Sequence, residues 1–236
     1  SKINKIIIFT HVGLFLMNSI LKVSAGSSLV GYLGLSIGGM GQGLVYQILT
    51  FPFMEVNFLS VLFNSMLVWF IGGDLESRWG EKFYAKFLVI STVASGIVYL
   101  LISLAAKGAL SYVPLAGLGG VVFALLMAYG IIFSERQLTF MLLFPMRAKY
   151  FCMILAGIEL YMGIFSANGK ASWAHISAAL AGFIYLKNKS MKARGQSLGD
   201  SFKAKSPNKK RGRGKLRIVK DEEDQRPDPK DPKYWQ

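Results

Sequence analysis

Few side chains in the apolar stretches of this chain could do chemistry. His175 stands in one uncharged run, Asn64 and Ser60 in another, and Glu159 interrupts a third. Beside them is a segment that offers backbone rather than side chain: Pro114-Leu115-Ala116-Gly117-Leu118-Gly119-Gly120-Val121. Each glycine inside a helix costs about 1 kcal/mol relative to alanine, so three in four positions need a reason. Either another helix approaches very closely, or a substrate approaches the bare backbone. Gly120, Ala124 and Ala128 recur at every fourth residue, as do Ala174, Ala178 and Gly182, and the two stripes suit helices packed closely in a membrane. A histidine in a bilayer needs partners for its polar atoms, because leaving them unmet costs several kcal/mol. His175 is therefore a functional candidate. Asn64 either joins it or ties helices together by hydrogen bonds.

The elements that must position these residues are membrane helices. The chain has 236 residues, 53% of them apolar, and a formal charge of +14. Several runs carry almost no charge over the roughly twenty residues that a bilayer crossing needs. The reading is a polytopic, all-α membrane protein with six helices in a domain spanning residues 1–187 and a basic tail over 188–236. The first helix is expected at Ile6–Leu21; Val23-Ser24-Ala25 also resembles a small-residue cleavage site, so a signal peptide is the alternative. Val23–Met54 holds seven glycines and no charge, which points to an irregular loop partly inserted in the outer leaflet. The second helix is expected at Phe58–Gly72, before a charged loop over Gly73–Lys82. The third is expected at Phe83–Ala106, the fourth at Pro114–Phe133, the fifth at Arg147–Phe165 and the sixth at Ser172–Leu186. Two histidines and one cysteine, Cys152, make a tetrahedral metal site an unpromising reading, and no cofactor is expected.

With this topology Asn64, Gly119 and His175 all lie near the outer ends of helices that run inward, roughly 5–9 Å below the surface. They can share one shallow pocket. Several further groupings occur in the same order along the chain: Leu62-Phe63-Asn64, then Leu75-Glu76-Ser77-Arg78-Trp79-Gly80, then Gly117-Leu118-Gly119-Gly120, then Phe144-Pro145-Met146-Arg147-Ala148-Lys149-Tyr150, then Ala174-His175 with Gly182. Together they resemble the rhomboid intramembrane serine proteases over about residues 5–187. The resemblance implies a six-helix bundle in which a serine of a Gly-x-Ser-Gly motif is the nucleophile. It also implies that His175 is the base, and that a histidine and an asparagine on the second helix hold the oxyanion.

The chain departs from that pattern at the reactive positions. Gly119 stands where the serine belongs, and Ser60 where the oxyanion histidine belongs, one turn before Asn64. Glu55, Tyr46-Gln47 and Phe123 also replace residues common in the family. A base without a nucleophile cannot form an acyl-enzyme. The expectation is a pseudoprotease that binds transmembrane client proteins without cutting them, as inactive relatives in membrane-protein quality control and trafficking do. An active endopeptidase with a substitute nucleophile is the alternative: Ser60 is at a plausible depth, Cys152 is near the wrong face, and Ser111 lies in an outer loop. Lacking its serine, the pocket is expected to be emptier, with His175 reaching water, Asn64 or Ser60 on the second or fourth helix. Glu159, about twelve residues into the fifth helix and near mid-membrane, is expected to be a protonated acid hydrogen-bonded to a neighbouring helix. Proton or ion passage is its other reading.

Charge sets the orientation. From Lys187 onward there are sixteen Lys and Arg against seven acids, and basic residues also crowd alternate loops. The positive-inside rule puts both termini in the cytosol, with a bacterial inner membrane as the expected location. The cluster Lys209-Lys210-Arg211-Gly212-Arg213-Gly214-Lys215 suits anionic lipid; nucleic acid is the less favoured partner. Single cysteines placed at positions 135 and 230 of a Cys152→Ala background should both be modified only from the cytosolic side. Modification of position 230 from outside would overturn the helix count.

Overall fold

The computed structural model describes residues 2–105, 113–140, 144–166 and 169–193. Residues 106–112 with Ser111, 141–143, 167–168 and the basic tail from 194 onward lie outside the described residues, whereas 188–193, expected in the tail, continue the last helix. Among the described residues four helices are long and apolar enough to cross a bilayer: α1 (Lys2–Ser24), the continuous rod Phe58–Trp79, α7 (Glu81–Ala105) and α9 (Ala148–Phe165). Two more complete the bundle. α8 (Gly119–Ile132) is apolar but has only 14 residues, about 21 Å of helix, and α10 (Gly169–Ala193) has its lysines at its ends around an uncharged middle. α10 packs most extensively on α7 and then on α8, with α9 on its other side. The core lies among α7, α8 and α10, where Tyr84, Phe87, Leu125, Tyr129 and Ala178 are almost fully buried.

The first loop is built from three short helical turns, α2 (Val30–Leu33), α3 (Ile37–Gly41) and α4 (Gln47–Thr50), with a 3-10 turn at Phe51–Phe53. Gln47, fully buried, holds it together: its amide nitrogen donates to the carbonyls of Gly31 and Tyr32, and its oxygen accepts from the Ser36 N–H. Leu35 exchanges two backbone hydrogen bonds with Leu115 at 2.8 and 2.9 Å, and the Gly117 N–H donates to the Phe51 carbonyl. The loop thereby fixes the strand-like segment that leads into α8. For this reason the fourth helix does not begin at Pro114 as the sequence suggested. Leu115 is committed to Leu35, and Gly117 turns the chain at φ +114°, a conformation that favours glycine, so α8 starts at Gly119.

The second crossing also runs past its predicted end. α5 (Phe58–Leu67) passes through one π turn at Val68–Gly72 into α6 (Gly73–Trp79), and Gly80 ends it. The charged residues expected in a loop are helical because the protein supplies their partners. Glu76, 3% exposed, accepts the Ile3 and Asn4 N–H groups at 3.0 and 3.1 Å, which caps the start of α1 from another helix. The Tyr84 hydroxyl donates to the Asn4 side chain, and Gly72 leaves room for both. Asp74 takes Arg136 at 2.7 Å and Tyr129 at 3.2 Å. These contacts tie α1 to the bundle. A small antiparallel hairpin, β1 (Gln137–Phe140) with β2 (Phe144–Arg147), was not anticipated. Beside it Glu135 meets Arg147 and Lys149, and the Lys149 ammonium holds its carboxyl below the usual range. Lys2 pairs with Glu81 and Lys189 lies over the Phe83 ring, so the start of α1 and the described end of α10 are on one face.

Glu76→Ala would leave two helix N–H groups without their charged acceptor. A loss of about 1.5–3 kcal/mol in detergent unfolding is expected, with Glu76→Gln retaining part of it. An unchanged unfolding midpoint for Glu76→Ala would show that α1 is held by apolar packing alone.

Candidate functional site

The start of α8, the outer half of α10 and the outer half of α9 meet at one place. Gly119 is the first residue of α8, and its bare Cα faces the His175 ring: a Cβ there would stand 2.8 Å from both Nε2 and Cε1. Gly120, next on α8, turns toward α7 and α10, where a Cβ would meet Ser95 Oγ at 2.8 Å and His175 Cδ2 at 3.5 Å. The structure therefore joins the two positions that the sequence paired, Gly119 and His175. The space that a side chain at 119 would fill is not empty as expected, because the imidazole leans into it. The stripes meet only partly. Ala174 and Ala178 are fully buried, but Gly182 faces Phe87 and Ser91 of α7 rather than α8.

His175 finds its partner where the sequence did not place it. The expected bond to the second or fourth helix is absent among the described residues. Instead His175 Nδ1 lies 3.0 Å from Glu159 Oε1 on α9. The physical reason is symmetry about a turn: Glu159 is six residues before the end of α9 at Phe165, and His175 six residues after the start of α10 at Gly169. Two antiparallel helices joined there put both side chains at one depth, roughly 9 Å below the turn. This spacing was readable from the sequence, and Glu159 is the twelfth residue of α9, as expected. Glu159 does bond to a neighbouring helix, with the imidazole of His175 as its partner in ion-pair geometry rather than as a lone protonated acid. Trp173 Nε1 donates to the Gly163 carbonyl at 3.0 Å and closes the same helix pair nearer the turn.

Asn64 does not reach His175. Its amide nitrogen lies 3.5 Å from Glu55 Oε2, at the limit of a hydrogen bond. Glu55, 8% exposed, follows the 3-10 turn and also accepts the N–H of Val56. Its Oε2 is 2.9 Å from where a Cβ on Gly117 would stand, so the carboxylate occupies the side of the site just before Gly119. Burial pushes the Glu55 carboxyl above its usual range, while the Val56 and Asn57 N–H groups, the Asn64 amide and nearby His175 pull against it. Nothing in its sequence position beyond a departure from the resembled pattern marked Glu55 for this place. Ser60, half-buried on α5, makes no side-chain hydrogen bond among the described residues. Cys152 is at the inner end of α9, its thiol donating to the Leu126 carbonyl at 2.9 Å and packed on Gly130, away from the site. No group of three or more His, Cys, Asp or Glu among the described residues could hold a metal ion.

The arrangement is an acid–base pair set against a glycine at a helix start, under a loop clamped to that helix. A family model for the rhomboid domain matches residues 42–190, most of the chain. This chain belongs to the rhomboid family. Among its curated relatives, the rhomboid protease GlpG of Yersinia pseudotuberculosis serotype I is 30% identical over 142 residues, which cover 59% of this chain and 46% of that protein. The GlpG rhomboid protease of Salmonella newport is 31% identical over 140 residues, covering 58% and 46%. The chain spans about half the length of the curated relatives it matches. The rhomboid domain takes in Asn64, Gly119, Glu159 and His175, and with them the whole acid–base pair.

A hydroxymethyl group added at Gly119 must displace the His175 ring. Gly119→Ser should therefore destabilise the protein by about 1–3 kcal/mol, the usual cost of overpacking. The cost should shrink in a His175→Ala background, which a double-mutant cycle in detergent unfolding would reveal. Equal costs in both backgrounds would mean that the ring and residue 119 do not compete for space.

Proposed function

We propose that this protein is a rhomboid-family pseudoprotease, which binds transmembrane client segments beside its site and does not cleave them. The observation that carries this is Gly119 against the His175 ring. The base position is occupied and partnered, yet the residue beside it has neither hydroxyl nor thiol. Acyl transfer needs that nucleophile, and its loss alone typically costs several orders of magnitude in rate. Glu55 supports the same reading. An oxyanion forms only where donors await it, and here the side-chain donor that the resemblance assigns to it, Asn64, faces a carboxylate. The exposed apolar residues of α5 and α9, Phe58, Leu59, Leu62, Ile154, Ile158 and Tyr161, suit contact with lipid or with another helix. In this reading the face bearing Glu135, Arg136 and Arg147 is cytosolic in a bacterial inner membrane, and the basic tail lies against anionic lipid.

The second reading is an active endopeptidase, favoured by the relatives being named proteases. It requires a nucleophile other than Gly119. Cys152 is spoken for at the far end of α9; Ser60 on α5 and Ser95, whose Oγ lies near the His175 ring, are the hydroxyls among the described residues that this reading would call on.

Reconstituted protein should neither cleave a transmembrane substrate nor react with a serine-directed fluorophosphonate, while still capturing such segments in photo-crosslinking. Gly119→Ser alone should stay at least a hundredfold below an active rhomboid, because each missing oxyanion donor is worth about 2.7–4 kcal/mol. Labelling of the wild type that disappears in Ser60→Ala would establish the protease reading instead.

A further inference from the structure

Cleaving a peptide bond builds negative charge on a carbonyl oxygen, so a working site offers donors and positive charge there. This site has the opposite sign. Glu159 borders His175 on one side, Glu55 borders Gly117 on the other, and the two side-chain donors between them, Asn64 and His175, are each turned toward one of these carboxylates. Among the described residues no lysine or arginine pairs with either acid.

We propose that the site receives a cation: the Lys or Arg side chain of a client transmembrane segment, carried in the outer third of its span. This rests on the client-binding reading and adds to it the class of client. Three observations bear on it. Glu55 is 8% exposed and is met by neutral donors, the Val56 N–H at 3.2 Å, the Asn57 N–H and the Asn64 amide at 3.5 Å, with no lysine or arginine paired to it among the described residues. The Glu159 and His175 side chains are 24% and 21% exposed, and only the first turn of α9 has buried residues, Ala148, Phe151 and Cys152, so the pair can be reached from the side of α9. Ser95 Oγ, 1% exposed and without a hydrogen-bond partner, stands at Gly120 beside the Cδ2 edge of His175. It is a buried hydroxyl with unused hydrogen-bonding capacity at the edge of the site.

Depth selects the occupant. The pair lies about 9 Å below the α9–α10 turn, and the first loop, tied to Leu115 and Gly117, covers the approach to α8 from outside. A side chain arriving within the membrane, on another helix, meets the site directly. A basic residue inside a span is costly in lipid, and carboxylates within the bundle relieve that cost. Clients with an unpaired basic residue near their outer end are therefore bound in preference to uniformly apolar ones.

The test uses the full chain in nanodiscs and a labelled Leu/Ala host helix, with either Lys or Leu five residues from its outer end, and measures affinity by energy transfer. The Lys host should bind at least tenfold tighter. That ratio should fall at least threefold in Glu55→Gln and in Glu159→Gln, and approach one in the double variant. Moving the lysine to the inner third of the host should remove the preference in the unaltered protein, a comparison that needs no variant to fold. Equal affinity for the Lys and Leu hosts would overturn this inference and leave client binding intact. A preference that survives the double substitution, or is independent of depth, would overturn it too, because the cation would then be met elsewhere. Failure of both hosts to bind would overturn the client-binding reading itself.

Discussion

A polar atom inside a bilayer has no water to fall back on, so each must find its partner within the protein. Much of this fold follows from that constraint. Glu76 is tolerable as a buried carboxylate because two N–H groups at the start of α1 reach it. Gln47 is tolerable because the first loop bends its carbonyls and an N–H around it. His175 and Glu159 answer each other across two helices. The same contacts that satisfy these groups set the positions of α1, the first loop and α9. Polar satisfaction and architecture are here one requirement.

The bundle was legible from the sequence because hydropathy and length carry it. Uncharged runs of adequate length mark crossings whatever surrounds them, and the ordered motifs around Asn64, Gly119 and His175 supplied the rest. The errors fell where a partner distant in sequence overrides a local signal. Pro114 reads as a helix start, yet Leu35 claims the backbone of Leu115 from eighty residues away. Asp74, Glu76 and Arg78 read as a loop, yet α1 and Arg136 satisfy the acids and keep the segment helical. Phe144-Pro145-Met146 reads as the approach to a helix and gives no sign of a hairpin, because strand pairing is fixed by its opposite strand.

At the site the division is similar. That Gly119 and His175 belong together could be seen from depth alone. The partner of His175 lies on α9, whereas the resembled pattern turns the base toward the second and fourth helices. The sequence held the correction in the equal spacing of Glu159 and His175 from the turn between them. Glu55 could not have been placed without the structure. Its position depends on where the first loop crosses the start of α8, and that crossing is made by backbone hydrogen bonds that no side-chain pattern records.

The single π turn at Val68–Gly72 has a consequence for how this chain compares with others. A π turn accommodates one residue beyond α-helical geometry, so everything after it is rotated by about 100° relative to an uninterrupted helix. Glu76 faces the start of α1 only with that extra residue in place. Deleting any one of the five residues would leave the hydropathy and composition of the crossing almost untouched while turning the acid toward lipid. In an alignment such a deletion would look like a harmless one-column gap in an apolar stretch. Its true weight is a change of phase between two halves of one rod: Asn64 is read in one register and Glu76 in the next.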